Sequence, residues 1–262
     1  MAHDLLDQTL MASPSVVLVV LCSSLAAAGT IPSGLTVDQI ANRMISADEQ
    51  KRANLPEYSV TRKYVLRNVH MKRDAEMLVR VSYSKGEGKT FQVLESSGVE
   101  GMSKRVFQHL LDAEKDASRQ TRGRLNNQNY HFELLGTETV DGRRCYILAL
   151  HPKVKTKDVF NGKVWVDADD FAVTKLEGHP AANLSFWVGK PLISQTWQKT
   201  GEYWMAAQNR SHSDSMIFGA SDLTVENTGY EIKPASQTGS RAQSATADPA
   251  VASLPSSHRS DR

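Results

Sequence analysis

From His131 to Ile232 one strand-length segment follows another, and most of the connections are turns of a few residues. This spacing constrains the fold more than any other feature. Parallel strands need crossovers of a dozen or more residues, so strands this close in sequence pair antiparallel, as a meander. The punctuation is specific. Asp141-Gly142 separates His131–Val140 from Arg143–Leu150, a strong hairpin signal. Asn161-Gly162 reads as a turn ahead of the strand in Phe160–Asp167, and Asp169-Asp170 turns that segment into Phe171–Glu177. Leu192–Gly201, Glu202–Ser213, a short Ser215–Phe218 and Asp222–Ile232 complete the run.

The first half mixes periods. Tyr58–Asn68 places Tyr58, Val60, Tyr64 and Leu66 on one face, with Arg62 interrupting it. Glu76–Tyr83 sets Met77, Val79, Val81 and Tyr83 opposite Glu76, Arg80 and Ser82, the alternation of a half-buried antiparallel strand. Gly86-Glu87-Gly88 turns the chain into Thr90–Glu95; neither a helix start nor Lys-Ser/Thr follows, which excludes a phosphate loop. Two segments have helical period. In Gly34–Arg52, Thr36 and Gln39 form a capping box, and Val37, Ile40, Ala41, Met44 and Ala47 share a stripe. In Ser103–Gln120 the stripe is Val106, Phe107, Leu110 and Leu111, and a polar stretch follows. That helix, set between strands, is placed as a cover over one side of the sheet. The count is about ten or eleven strands and two principal helices, a mainly β (α+β) chain.

The ends differ from the middle. Ser15–Ala28 is an apolar run of signal-peptide length, and Ala26-Ala27-Ala28 offers a small-residue cleavage site. The expected division is a signal peptide over 1–28, one folded domain over 29–232 and a disordered polar tail over 233–262. Asp4 and Asp7 are unusual ahead of an apolar run, and translation from Met11 removes both. Cys22 is preceded by Val19-Val20-Leu21, a poor context for lipid modification, so a lipid anchor is not expected. Removal of the leader leaves Cys145 alone, which excludes an intrachain disulfide.

Chemistry is scarce. With 31 basic and 29 acidic residues, nothing in the charge balance points to nucleic acid. Scattered basic pairs such as Arg143-Arg144 read as solvated strand edges and loop tips. The eight histidines stand singly and form no metal motif. Asp167, Asp169 and Asp170 lack the glycine and distant glutamate of a calcium loop, and read as a turn in water. His212-Ser213-Asp214 lies in a strand, where neighbours point to opposite faces and cannot form a relay. No catalytic residue, metal or cofactor is assigned. What stands out is aromatic: Trp165, Trp187, Trp197 and Trp204 all lie in the second half. Each reads as core or as the wall of a pocket.

Three stretches resemble the LolA/LolB-like family of outer-membrane lipoprotein carriers. They are LLGTETVDGRRCYILALHPK, FNGKVWVDADDFAVTKLEGHPA and LSFWVGKPLISQTWQKTGEYWMAAQNRSHS, with a G-x-x-W-V-D strand at Gly162–Asp167. The order of elements over Leu35–Ile232 matches as well. The resemblance implies an incomplete, strongly curved antiparallel β-barrel whose open concave side is covered by helices. It implies a non-catalytic, monomeric periplasmic carrier for the acyl chains of a lipoprotein or lipid. An inner-membrane release complex would load it and an outer-membrane receptor would unload it. Alternation selects Met77, Val79, Val81, Phe91, Val93, Leu135, Trp165 and Trp197 as candidate pocket residues, and Val106, Phe107, Leu110 and Leu111 as the covering helix. The alternative on the same fold is a protein-binding sensor module of the cell envelope.

Overall fold

The computed structural model describes residues 34–70, 74–98, 100–115, 121–184, 190–215 and 219–233. The expected signal peptide, the tail beyond Lys233, residues 116–120 of the second helix and residues 216–218 of the short strand lie outside them.

The chain begins with α1 (Val37–Ala53), then β1 (Tyr58–Asn68), β2 (Ala75–Ser84) and β3 (Gly88–Ser97). Helix α2 (Met102–Lys115) separates these from β4 (Tyr130–Val140), β5 (Arg143–Pro152), β6 (Phe160–Asp167) and β7 (Val173–Pro180). The last three strands are β8 (Leu192–Thr200), β9 (Tyr203–Ser215) and β10 (Gly219–Ile232). The capping box forms as expected: Gln39 N donates to Thr36 Oγ at 3.3 Å, and Thr36 N donates to Gln39 Oε1 at 2.8 Å. The hairpin turn at Asp141-Gly142 has φ of 49° and 77°, the left-handed pair that its sequence favours.

All ten strands form one antiparallel sheet in the order β3-β2-β1-β10-β9-β8-β7-β6-β5-β4. The sheet is a meander with one long-range join, where β1 pairs with β10 from Tyr58↔Ile232 to Asn68↔Ser221. Its two edges, β3 and β4, are consecutive in the chain and are not paired with each other. The segment containing α2 connects them, so the barrel stays open. Each edge strand carries a bulge. Leu94 is the extra residue in the β2–β3 pairing and Leu135 in the β4–β5 pairing, and both are exposed.

Two apolar clusters form, one under each helix. Ile40 and Met44 of α1 pack on Tyr146, Leu148, Leu150, Val164, Val166 and Leu176. Phe107 of α2 packs on Tyr58, Val60, Tyr64, Met77, Val79 and Val81, with the Tyr64 and Phe107 rings 5.9 Å apart. Helix spacing and strand alternation therefore decide the same thing: which single face of the sheet is covered.

The acidic turn after β6 is solvated only in part: Asp169 is exposed as expected, but Asp167 is not. Asp167 is fully buried. Arg143 donates to its two oxygens at 2.5 and 2.8 Å, and the backbone N–H groups of Asp169 and Asp170 donate to its Oδ1 at 3.0 and 2.8 Å. Burial pushes its carboxyl up, but Arg143 and the two N–H donors outweigh this and hold it below the usual range. Aspartate suits a turn here because it caps the turn from inside, and Arg143 is drawn from the expected loop tip to neutralise it. Phe171 also departs from its expected strand. It takes φ of 54° and closes the turn, with its ring stacked on Tyr146 and Arg43 5.0 Å from its centroid.

Asn161-Gly162 is not the expected turn: both residues pair within β6, and Gly162 faces Gly178 across β6 and β7. A Cβ on Gly162 would overlap the Glu177 carbonyl and stand 2.6 Å from Gly178 Cα. The strands therefore approach as closely as they do only because both side chains are absent. Gly162→Ala is expected to destabilise the protein by about 1–3 kcal/mol, read as a lower midpoint of urea unfolding. An unchanged midpoint would show that the strands part freely at this point.

Candidate functional site

Between the two helix-covered clusters the covered face of the sheet is not filled. A cavity of about 560 Å³ opens between the helices, with Tyr64, Leu110, Ile193, Trp197, Leu223 and Val225 among its lining. A second cavity, of about 690 Å³, lies between α1 and strands β7–β9, against Met44, Leu55, Leu176, Trp197, Tyr203 and Trp204. Trp197, Arg52 and Gly123 line both. Each volume falls in the range of small-molecule pockets, roughly 300–1,000 Å³.

The first cavity is polar at one point. Arg62, 6% exposed, donates from Nε to Asn227 Oδ1 at 2.6 Å and from a terminal nitrogen to the Glu114 carboxylate of α2. Tyr64 Oη donates to Glu114 at 3.3 Å, and Lys89 Nζ reaches its other oxygen at 3.2 Å. Burial pushes the Glu114 carboxyl up, yet the Arg62 and Lys89 charges and hydrogen bonds outweigh it and hold the group below its ordinary value. Burial pushes the Tyr64 hydroxyl up to about 12. Helix α2 is thus seated on β1 by apolar contacts through Phe107 and, one face further round, by a half-buried ion pair.

The second cavity carries a different polar set. Arg52 is paired with Asp48 at 2.7 Å and Lys199 with Asp170 at 2.7 Å. Lys51 is half-buried, its Nζ 5.7 Å from the Trp197 ring centroid. Burial lowers its pKa to about 8, partly offset by Asp48. The Nε of Arg124 is buried and has no hydrogen-bond partner, an arrangement that costs about 1–3 kcal/mol when left unmet.

The residues selected by alternation divide. Met77, Val79 and Val81 are buried beneath α2, with Phe91 packed against their cluster. Phe107 is buried among them, and Val106, Leu110 and Leu111 pack at the margin, with Leu110 also lining the first cavity. Trp197 lines both cavities. Val93 and Leu135 are exposed at 52% and 46% on the edge strands. Trp165 alternates with Val164 and Val166, which join the α1 cluster. Its own ring lies under Lys175 at 4.3 Å, and its Nε1 donates to Glu138 at 2.7 Å. It lines neither cavity.

Sequence reasoning passed over Arg62, Glu114, Lys51 and Arg124. One signal was visible, an arginine breaking the otherwise apolar face of β1. Among the described residues no group of three or more His, Cys, Asp or Glu is placed to hold a metal. No described helix is long and apolar enough to cross a membrane.

Comparisons with known proteins add context. A family described only as "Uncharacterized protein" matches residues 115–233. No curated protein matches the chain. Among solved structures, a LolA superfamily protein from Nitrosomonas europaea shares 13% identity with a TM-score of 0.42, over 77% of this chain and 96% of its own. A domain assigned to outer membrane lipoprotein sorting from Vibrio parahaemolyticus shares 14% with a TM-score of 0.40, over 77% and 95%. The MucA/MucB complex of Pseudomonas aeruginosa shares 11% with a TM-score of 0.22, over 76% and 99%. At these identities and TM-scores, function rests on the residues of the site itself.

Because Glu114 titrates below its ordinary value, its pairing stabilises α2 fully above the ordinary carboxylate range. That contribution is lost as pH falls through the folded value. Protection of the α2 amides, taken relative to their intrinsic exchange rates, is therefore expected to fall on acidification through the carboxylate range, and Glu114→Gln is expected to remove this acid dependence. Arg62→Met takes the buried arginine partner from a half-buried carboxylate and is expected to cost about 3 kcal/mol. Protection factors in α2 that stay constant over this range would show that the ion pair does not hold the helix.

Proposed function

We propose that this chain is a non-catalytic periplasmic carrier that holds the acyl chains of a lipoprotein or lipid against its covered sheet face and moves them toward the outer membrane. The observation that carries this reading is the pair of cavities, about 560 and 690 Å³, on one face of an open sheet. Burying a chain is worth about 0.8 kcal/mol per CH₂, so a carrier needs a dry surface with a cover that can lift. Helix α2 suits that role because part of its seat is the charged contact of Glu114 with Arg62 and Lys89. Trp197, which lines both cavities, is the residue we assign to cargo contact in each. Met77, Val79, Val81 and Phe91 serve as the surface that α2 covers and that its lifting would expose.

In this reading residues 1–28 direct export and are removed, 29–232 form the carrier domain and 233–262 are a tail. The chain acts as a monomer, without a lipid anchor, between a release complex in the inner membrane and a receptor in the outer one. The sequence resemblance to LolA/LolB-like carriers points the same way.

A second reading, a protein-binding envelope sensor, finds its support in the free edge β3, where Val93 and Leu94 are exposed. Protein purified from its own periplasm is expected to yield acyl-bearing species by native mass spectrometry and lipid extraction. Absence of any such species, together with failure to bind a triacylated lipopeptide in vitro, would sink the carrier reading. A pull-down that recovered a membrane regulator in place of lipoproteins would favour the sensor.

A further inference from the structure

The cavity beneath α1 has a charge pattern that apolar chains alone leave unused. Its walls include Met44, Leu176, Trp197 and Trp204. Of its basic side chains, Arg52 and Lys199 already have carboxylate partners in Asp48 and Asp170. Lys51 and Arg124 do not. Among the described residues no carboxylate lies within ion-pair distance of Lys51, whose ammonium rests over the Trp197 ring at 5.7 Å. The buried Nε of Arg124 has no acceptor. The remaining acid of the lining, Glu202, is exposed to solvent. Two cations with no carboxylate in ion-pair contact, Lys51 with only the more distant charge of Asp48, therefore border the same apolar walls.

We infer that this cavity takes an amphiphile with one long apolar chain and a single anionic head, a carboxylate or a phosphate, met by Lys51 and Arg124. An anionic head would pair with the Arg124 guanidinium and the Lys51 ammonium in a setting of low dielectric, where charge-assisted bonds are strong. The chain would lie along Trp197 and Leu176, which suits the extended apolar wall. The same anion would restore the full charge that burial withdraws from Lys51. This inference rests on the carrier reading and narrows its cargo from acyl chains in general to acidic amphiphiles.

The test follows tryptophan emission while the purified protein is titrated with four probes of equal chain length: palmitate, hexadecyl phosphate, hexadecanol and hexadecyltrimethylammonium. Palmitate and hexadecyl phosphate are expected to bind at least about tenfold more tightly than hexadecanol, with the cation weakest. Whichever anion binds more tightly distinguishes a free fatty acid from a phospholipid-derived head, and either supports the inference. The Lys51→Met/Arg124→Met double variant is expected to bring both anions to the level of hexadecanol while hexadecanol itself binds as before, which also shows that the variant is folded. Arg124→Met alone is expected to remove part of the preference. Equal affinity for all four probes, or a preference that survives in the folded double variant, would overturn the inference and leave the carrier reading intact. Binding of none of the four would overturn the inference, while the carrier reading would still be decided by the lipid extraction and the triacylated lipopeptide.

Discussion

The two ends of the sheet do not meet, and the rest of the molecule depends on that gap. A ten-stranded antiparallel sheet could close, with β3 and β4 as its last pair, since they are neighbours in the chain. The intervening segment carries α2, and the helix goes to the covered face instead. Closure would have removed both edges. Leaving the sheet open gives the face a width that two helices cover only in part. Cavities remain between the helices and beneath α1, with Trp197 in the wall of both.

The helices are held in unlike ways. Helix α1 is anchored by Ile40 and Met44 in an apolar cluster that also includes the strands around the β6–β7 turn. That turn is fastened by the buried Asp167 and its Arg143 partner, and Arg43 of α1 lies over Phe171 in it. Helix α2 shares its hold between Phe107 and the carboxylate of Glu114. A buried ion pair is poor evidence of stability, because desolvation offsets much of the attraction. It does make the contact specific, since displacement of the helix leaves an arginine and a carboxylate without each other.

Much of the architecture could be read from the sequence because local rules decide it. The capping box at Thr36, the hairpin turn at Asp141-Gly142 and the alternation in β1 and β2 each depend on residues close together in the chain. The pairing of β1 with β10 does not, and no local pattern marks it. The site was less legible for the same reason. Alternation identifies a face but cannot say whether a helix fills it, so Met77, Val79 and Val81 were grouped with Trp197 although α2 covers the first three. On β6 it could not decide between the faces, and Trp165 lies opposite Val164 and Val166. The charged groups were hidden because their meaning is pairwise: Arg62 breaks an apolar row for the sake of Glu114, which lies on a different element. Asp167 looked like a turn acid in water because the arginine that buries it begins another strand. The G-x-x-W-V-D stretch has a physical account in Gly162, which permits close approach to Gly178, and in Asp167, which caps the turn.

The bulges in the edge strands have a consequence for how the protein behaves in a crowd of its own copies. An open sheet offers two rows of unpaired backbone groups on which further strands could add, the route by which sheet proteins assemble into fibres. A chain with unfilled apolar space is doubly at risk. Leu94 and Leu135 interrupt the ladder between each border strand and its inner neighbour, one on each border. A bulge bends and twists its strand, so an incoming straight strand finds no continuous register. The bulges at these two leucines make both open borders poorer templates for further strands.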